Sequence, residues 1–561
     1  MNFRAPAFDA WLDDFFRSYF AHRPVNATFI GHHEHDHLLP DFGESAVGDL
    51  VADMDDLLER LRVLPPEDLT SSQSMDRRMA EGFLRIQRWE CGSAHHHRGN
   101  PSLYTGEAIF GAFSLFLTQY APVSERVEAA RARLAAVPRL LGQGKSNVAA
   151  AHPEWIRRAL RECRGAMAFL GEGVDLLAVE QGFDPTTLRR EADVAARAFA
   201  DFRDHLEGMR QSGAGTGVAC GEEALGLHLR WGHFLEQDAE AVAAYAETRM
   251  AEAEAWLAEH ASDFGAASPA AALEGLAAVH PPRDRYAGRY QELWDDVRAL
   301  ALRNELLTWP DFPLRYVPRP RWTRSAAPDL YFLFYRSPAA VGRPAVHDYL
   351  VAPLDDDVSD QEADALLRAN NDSVIKLNHV VHHGGIGHHV QNWHAFRSKS
   401  RIGRVAAVDC ASRIAMFCGG TMAEGWACYA TDLVAEFGGL TPLEEYAEVH
   451  SRVRMAARAV VDVRLHQGRF TLDEAADYYA RHAGMPAAAA LGEAVKNSMF
   501  PGAAVMYIMG TDAIHALRAE VEARLGGDFS LRRFHDDFLA HGSVPVALAA
   551  EEMLRAMDHV G

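Results

Sequence analysis

Apolar residues recur at three- and four-residue intervals over most of this chain, the spacing that gives a helix one buried face. Phe, Trp and Leu follow that spacing from Phe8 to Tyr19. It returns from Leu50 to Leu64, where Pro65-Pro66 ends it, and from Met75 to Glu90. Longer stretches rich in Ala, Leu, Arg and Glu extend the pattern: Val123–Leu141, Glu154–Leu170, Thr186–Met209 and Asp238–His260. No fixed-period repeat appears, so the pattern predicts helices packed on one another rather than a solenoid. One region departs from it. Between Pro313 and Pro353 prolines and aromatics surround the runs Leu330–Tyr335 and Val346–Val351, a composition that favours short strands. After Pro353 the acidic stretch Leu354–Asp360, with Asp355 to Asp357, reads as a solvated approach to the next helix. The expectation is a mainly α protein with a small β-sheet.

Composition narrows the function more than the fold. With 561 residues, 48% hydrophobic and 24% charged, the chain has ample material for a large core. A formal charge of -22 and the lack of a basic stripe exclude a nucleic-acid partner and disfavour an anionic membrane surface. No apolar run has the length to span a bilayer. Acidic residues interrupt the N-terminal apolar positions early, which argues against a secretory signal and makes a cytoplasmic location the expectation. The cysteines Cys91, Cys163, Cys220, Cys410, Cys418 and Cys428 are scattered without a C-x-x-C pair, so neither a disulfide framework nor a zinc ribbon is indicated.

Candidate chemistry concentrates in one segment. From His379 to Gln391 five histidines (His379, His382, His383, His388, His389) and three glycines (Gly384, Gly385, Gly387) fall within thirteen residues. Further on comes Glu424-Gly-Trp-Ala-Cys-Tyr429. Imidazoles plus one carboxylate are the donor set of many catalytic metal sites. Residues four apart on a helix share a face, so His379 and His383 have the spacing of a metal-binding pair. His382 and His388 are six apart, about 9 Å along a helix axis, and meet at one ion only if the helix breaks at the glycines. Both assignments stand on spacing. His32, His33, His35 and His37, like His95 to His97, read as surface histidines.

The two segments together resemble the DUF885 family of gluzincin-like metallopeptidases, whose pattern is H-E-x-x-P-G-H-H-x-Q followed by E-G-W-A-x-Y. His382, His388, Gln391 and Glu424 match that pattern, whereas His383 stands at the catalytic glutamate and Ile386 at the proline. The segment Ala27–Asp41 resembles the family's entry segment G-x-x-x-x-D-x-x-L-P-D, and Arg458, Asp462 and His466 resemble its R-x-x-x-D-x-x-x-H. Pro501-Gly502 with Tyr507 and Gly510 resembles P-G-Q-A-x-x-Y-x-x-G, with Ala503 in place of the glutamine. Arg533-Phe-His535 resembles a further, structural segment. The resemblance implies two helical lobes around a deep cleft, with residues 1–312 and 356–561 as lobes and 313–355 as the strand region. It implies one divalent ion, zinc by preference, on His382, His388 and Glu424. It also implies Tyr507 as oxyanion donor and Arg458 and His466 close to the ion. Where the chain departs from the pattern, His383 or, more weakly, Glu493 is the candidate replacement base. A bland alternative for the Arg458–His466 face is a buried Arg458–Asp462 salt bridge. The substrate implied is a peptide or small amide. With the motif glutamate missing, three readings remain open: a slow or specialised metal-dependent hydrolase, a non-catalytic descendant that binds metal or peptide, and a non-hydrolytic metal enzyme with two histidines and one carboxylate.

Overall fold

The computed structural model describes residues 6–212, 215–330, 337–355, 358–408 and 412–558. It is mainly α-helical, and its described strands form one two-stranded sheet. The chain forms two compact units: residues 1–218, 319–344 and 411–413 make the first, and 219–318, 345–410 and 414–561 the second. Residues 219–318 therefore pack with the C-terminal part of the chain.

In the first unit the predicted periodicities become the helices Pro6–His22, Glu44–Arg62, Ser71–Gly92, Val123–Asn147, Pro153–Ala168 and Thr186–Ser212. Their starts carry local signals. Thr70 and Gln73 form a reciprocal capping box, and Pro153 fills a first-turn position whose N–H would have no helical acceptor. Aromatics such as Tyr104, Phe113, Phe169 and Trp322 close a continuous core. Arg133 is buried at its centre, where it donates to Pro24 O, Thr28 Oγ1 and Gly111 O. A guanidinium is tolerated there because each donor has an acceptor.

In the second unit the helix Ala239–His260 lies along Pro442–His466, and Gly420–Glu436 lies along Met506–Leu525. The strands β1 (Leu314–Pro318) and β2 (His347–Val351) pair in parallel, Leu314 opposite His347 and Val317 opposite Leu350. Both fall in the region predicted for strands. Of the run Leu330–Tyr335, all but Leu330 lie outside the described residues, as do Cys410, Asp356 and Asp357. The other five cysteines are free thiols. Among the described residues no helix is long and apolar enough to cross a membrane.

Candidate metal centre

The histidine segment is not one regular helix. Residues Ile375–Gly384 wind as a π-helix, the chain turns through Gly385 and Gly387, and a new helix runs His388–Ala395. π-turns are rare and gather at functional sites. The break required for His382 and His388 to meet is present, with Gly385 (φ -96°, ψ -115°) and Gly387 (φ -71°, ψ -128°) at backbone angles closed to other residues. The glycines also supply room: a Cβ on Gly387 would collide with the His382 carbonyl, and one on Gly384 with the Tyr316 hydroxyl. Two indoles hold the turn. Trp294 Nε1 donates to Gly384 O at 2.8 Å, and Trp426 Nε1 donates to Ile386 O at 2.8 Å. Gly387 N donates to Val381 O at 3.0 Å, closing the loop.

This turn brings the His382 and His388 rings to a centroid distance of 4.8 Å at nearly a right angle. Glu424 reaches both: its Oε2 lies 3.2 Å from His382 Nε2 and 3.6 Å from His388 Nε2. Donors about 2.0–2.1 Å from a tetrahedral zinc stand about 3.3–3.4 Å apart, so these two separations bracket a zinc site's edge. His383 joins the group, since one ring nitrogen each of His382, His383 and His388 lies within 4.8 Å of the others. Its Nδ1 sits 2.7 Å from Asn378 O, the bond that orients a ligating or proton-accepting imidazole through its other nitrogen. His379 is turned elsewhere. Its Nδ1 is 2.6 Å from the Tyr349 hydroxyl on β2, and its ring lies 6.5 Å from that of His383.

Burial sets the charge of the group. Burial brings His379 down to about 4, and burial together with the neighbouring imidazoles holds His383 well below its ordinary value. Glu424 goes the other way: burial raises its carboxyl, but the His382 and His388 imidazoles outweigh that and hold it well below the usual range. Glu424 is thereby held ionised beside His382 and His388, and the carboxylate is the form that binds a divalent cation.

Glycines also place the wall of the site. A Cβ on Gly425 would lie 2.7 Å from Gly510 Cα, so the helices Gly420–Glu436 and Met506–Leu525 cross backbone to backbone there. Glu424 and Tyr507 are one and three residues from that crossing. Tyr507 packs with Cys428 and Met506, and Cys428 Sγ lies 3.9 Å from His382 Nδ1. Arg458 lies over the Tyr507 ring, 4.7 Å from its centre, and pairs with Glu493 at 2.7 Å. The Arg458–Asp462 bridge is thus replaced by Arg458–Glu493. Burial raises the Glu493 carboxyl, but the Arg458 and Lys496 charges prevail and bring it to about 2, which removes it as a base near neutral pH. Asp462 accepts from Gly502 N at 3.0 Å and Ala504 N at 2.7 Å, fixing the Pro501-Gly502 turn. His466 is fully buried, with Nε2 3.1 Å from Asn497 O and 3.5 Å from Asp462 Oδ1.

The remaining motif residues brace the centre. Gln391 Nε2 donates to Ser543 Oγ, His389 Nε2 meets Phe312 O, and His535 spans Leu306 O and the Tyr429 hydroxyl. Trp294, Tyr349 and Asn378 carried no sequence signal for their roles, and Trp426 carried only its place beside Glu424. Elsewhere, His95, His96 and His97 are buried in the first unit rather than on the surface, whereas His32, Glu34 and His35 gather donor atoms within 4.8 Å at half-buried to exposed positions.

A family model described as "Bacterial protein of unknown function (DUF885)" matches residues 24–553. Two solved structures are similar over almost the whole of both chains. One is described as a "putative lipoprotein of unknown function" from Shewanella oneidensis, 20% identical, TM-score 0.78, covering 98% of this chain and 99% of that one. The other, a "putative lipoprotein" from Colwellia psychrerythraea, is 17% identical, TM-score 0.78, covering 99% of each chain. No curated protein matches. The cytoplasmic expectation is corrected by these descriptions. It rested on acidic residues among the first apolar ones. In the structure that pattern is the amphipathic helix Pro6–His22, which buries Phe8, Trp11, Leu12 and Phe15, so it reports packing and not destination.

Proposed function

The chain belongs to the DUF885 family, and from its histidine–glutamate centre we propose a metal-dependent hydrolase of peptide or other amide bonds. The observation that carries the reading is the spacing of Glu424 Oε2 from His382 Nε2 and His388 Nε2, 3.2 and 3.6 Å, on a donor set that suits zinc. When bound, a divalent ion supplies Lewis acidity and eases deprotonation of a water. In this reading His382, His388 and Glu424 hold the ion, and Trp426 and Trp294 keep the turn between the histidines. His383, oriented by Asn378 O, offers its other ring nitrogen where the family pattern has glutamate, and accepts the proton of the attacking water. Tyr507 donates its hydroxyl to the developing oxyanion, steadied by Arg458. Asp462 and His466 position Tyr507 through the Pro501-Gly502 turn. The imidazole is larger than the glutamate it replaces and differently aimed, so turnover falls short of a glutamate-bearing relative by about two to four powers of ten.

Elemental analysis, with peptide-library hydrolysis before and after chelation, tests the reading. One equivalent of zinc and chelator-sensitive cleavage are expected, and His383→Glu should raise cleavage at least about tenfold, near 1.4 kcal/mol of barrier. A protein that takes up no divalent ion overturns the proposal. Bound metal with no cleavage in either form turns the reading to a non-catalytic metal- or peptide-binding protein.

A further inference from the structure

One cation near the centre has no work in the reading above. Arg454 lies one helical turn before Arg458 on Pro442–His466, so the two guanidiniums share a face. That helix packs on both Gly420–Glu436, which carries Glu424 and Cys428, and Met506–Leu525, which carries Tyr507. The next residue, Met455, packs on the cluster of Cys428, Met506 and Tyr507. Arg458 is matched by Glu493 at 2.7 Å. Arg454 is not matched: its Nε is buried without a hydrogen-bond partner. Glu493, Tyr507 and Cys428 act on its charge from a distance, and burial followed by the like charge of Arg458 lowers its pKa. Arg454, Arg458 and Lys496 all act on the one Glu493 carboxylate, so positive charge outnumbers negative around it. Arg454 as a whole is half-buried, and a cation held there without an ion-pair partner is balanced by an anion brought by a ligand. Guanidinium presents a planar fork that matches a carboxylate through two parallel hydrogen bonds.

We infer that Arg454 is the anchor for the free C-terminal carboxylate of a short peptide whose scissile bond lies at the His382–His388–Glu424 centre. The inference rests on the proposed hydrolase reading and narrows it: the chain end is held, so cleavage falls close to the C-terminus. Arg454 acts here as a binding residue, while Arg458, committed to Glu493 and Tyr507, does not contact the carboxylate.

The test is calorimetric binding to the zinc-loaded full chain, using three probes: N-acetyl-alanyl-phenylalanine, its C-terminal amide, and N-acetyl-glutamyl-phenylalanine amide, whose only carboxylate is on a side chain. The free acid is expected to bind at least about tenfold more tightly than either amide. Arg454→Gln should erase that preference, and Arg454→Lys should keep part of it, with zinc stoichiometry unchanged in both. A preference that survives Arg454→Gln, equal binding of acid and amide, or tighter binding of the side-chain acid overturns the inference. If Arg454→Gln does not fold, as read by circular dichroism, Arg454→Lys decides, because loss of the planar fork must still weaken the free acid selectively. Zinc uptake is measured first and separately, so a failed metal site is told apart from a failed carboxylate anchor.

Discussion

Replacing Trp426 by phenylalanine isolates one strut of the centre. The indole and Ile386 are both fully buried, and Nε1 donates to the Ile386 carbonyl at 2.8 Å. Phenylalanine keeps most of the ring in place and removes the donor. A buried carbonyl left unpaired costs about 1–3 kcal/mol. Ile386 lies inside the turn that brings His382 and His388 onto Glu424, so the loss falls on the geometry of the donors. If the whole cost is felt at the ion, zinc affinity drops about 5- to 150-fold. Competition with a fluorescent zinc chelator measures that change, and urea unfolding of the metal-free protein measures the cost to the fold. Trp294→Phe, acting through Gly384 O, should weaken zinc in the same direction. Zinc affinity within twofold of the parent, alongside a clear loss of stability, would show that the indole supports only the core, and the argument for a held turn would fail.

Glu424→Ala and His388→Ala should each strip zinc while leaving the helical circular dichroism signal nearly intact. Retention of zinc by His388→Ala, together with its loss from a His379→Ala/His383→Ala double variant, would move the ligand set to the other pair. Gly425→Ala places a methyl 2.6–2.9 Å from the backbone of Gly510 and Thr511, atoms that cannot step aside cheaply. A destabilisation of about 3 kcal/mol is expected in urea melts, and a neutral result would refute the backbone crossing. Acid should unfold the protein early. Burial brings His233, His450 and His535 down from 6.5 to about 4, so the unfolded chain takes up protons that the folded one refuses. Their contribution is complete above pH 6.5 and drains as the pH falls toward 4, about 3 kcal/mol for each at the limit. A urea midpoint that does not move between pH 7.5 and pH 5 would contradict this.

Much of the fold was legible because helix periodicity is a local signal. A buried stripe such as Phe8, Trp11, Leu12 and Phe15 can be read without knowing its partner. Residue types also announced the centre, since five histidines and a nearby glutamate have few other uses in such density. The requirement that the helix break between His382 and His388 followed from rise per residue alone. Which histidines converge did not, because spacing served His379–His383 as well. Tertiary packing decided it, when Tyr349 on β2 drew His379 away and the indoles of Trp294 and Trp426 fastened the turn. The pairing of Arg458 was likewise hidden. Its helical neighbour Asp462 is four residues away, yet Asp462 receives the N–H groups of the Pro501-Gly502 turn, and Glu493, from another helix, takes the guanidinium. Short-range spacing fixes the face on which a side chain emerges. The partner on that face belongs to a segment far along the chain, and only close packing, as at Gly425 against Gly510, determines which segment arrives.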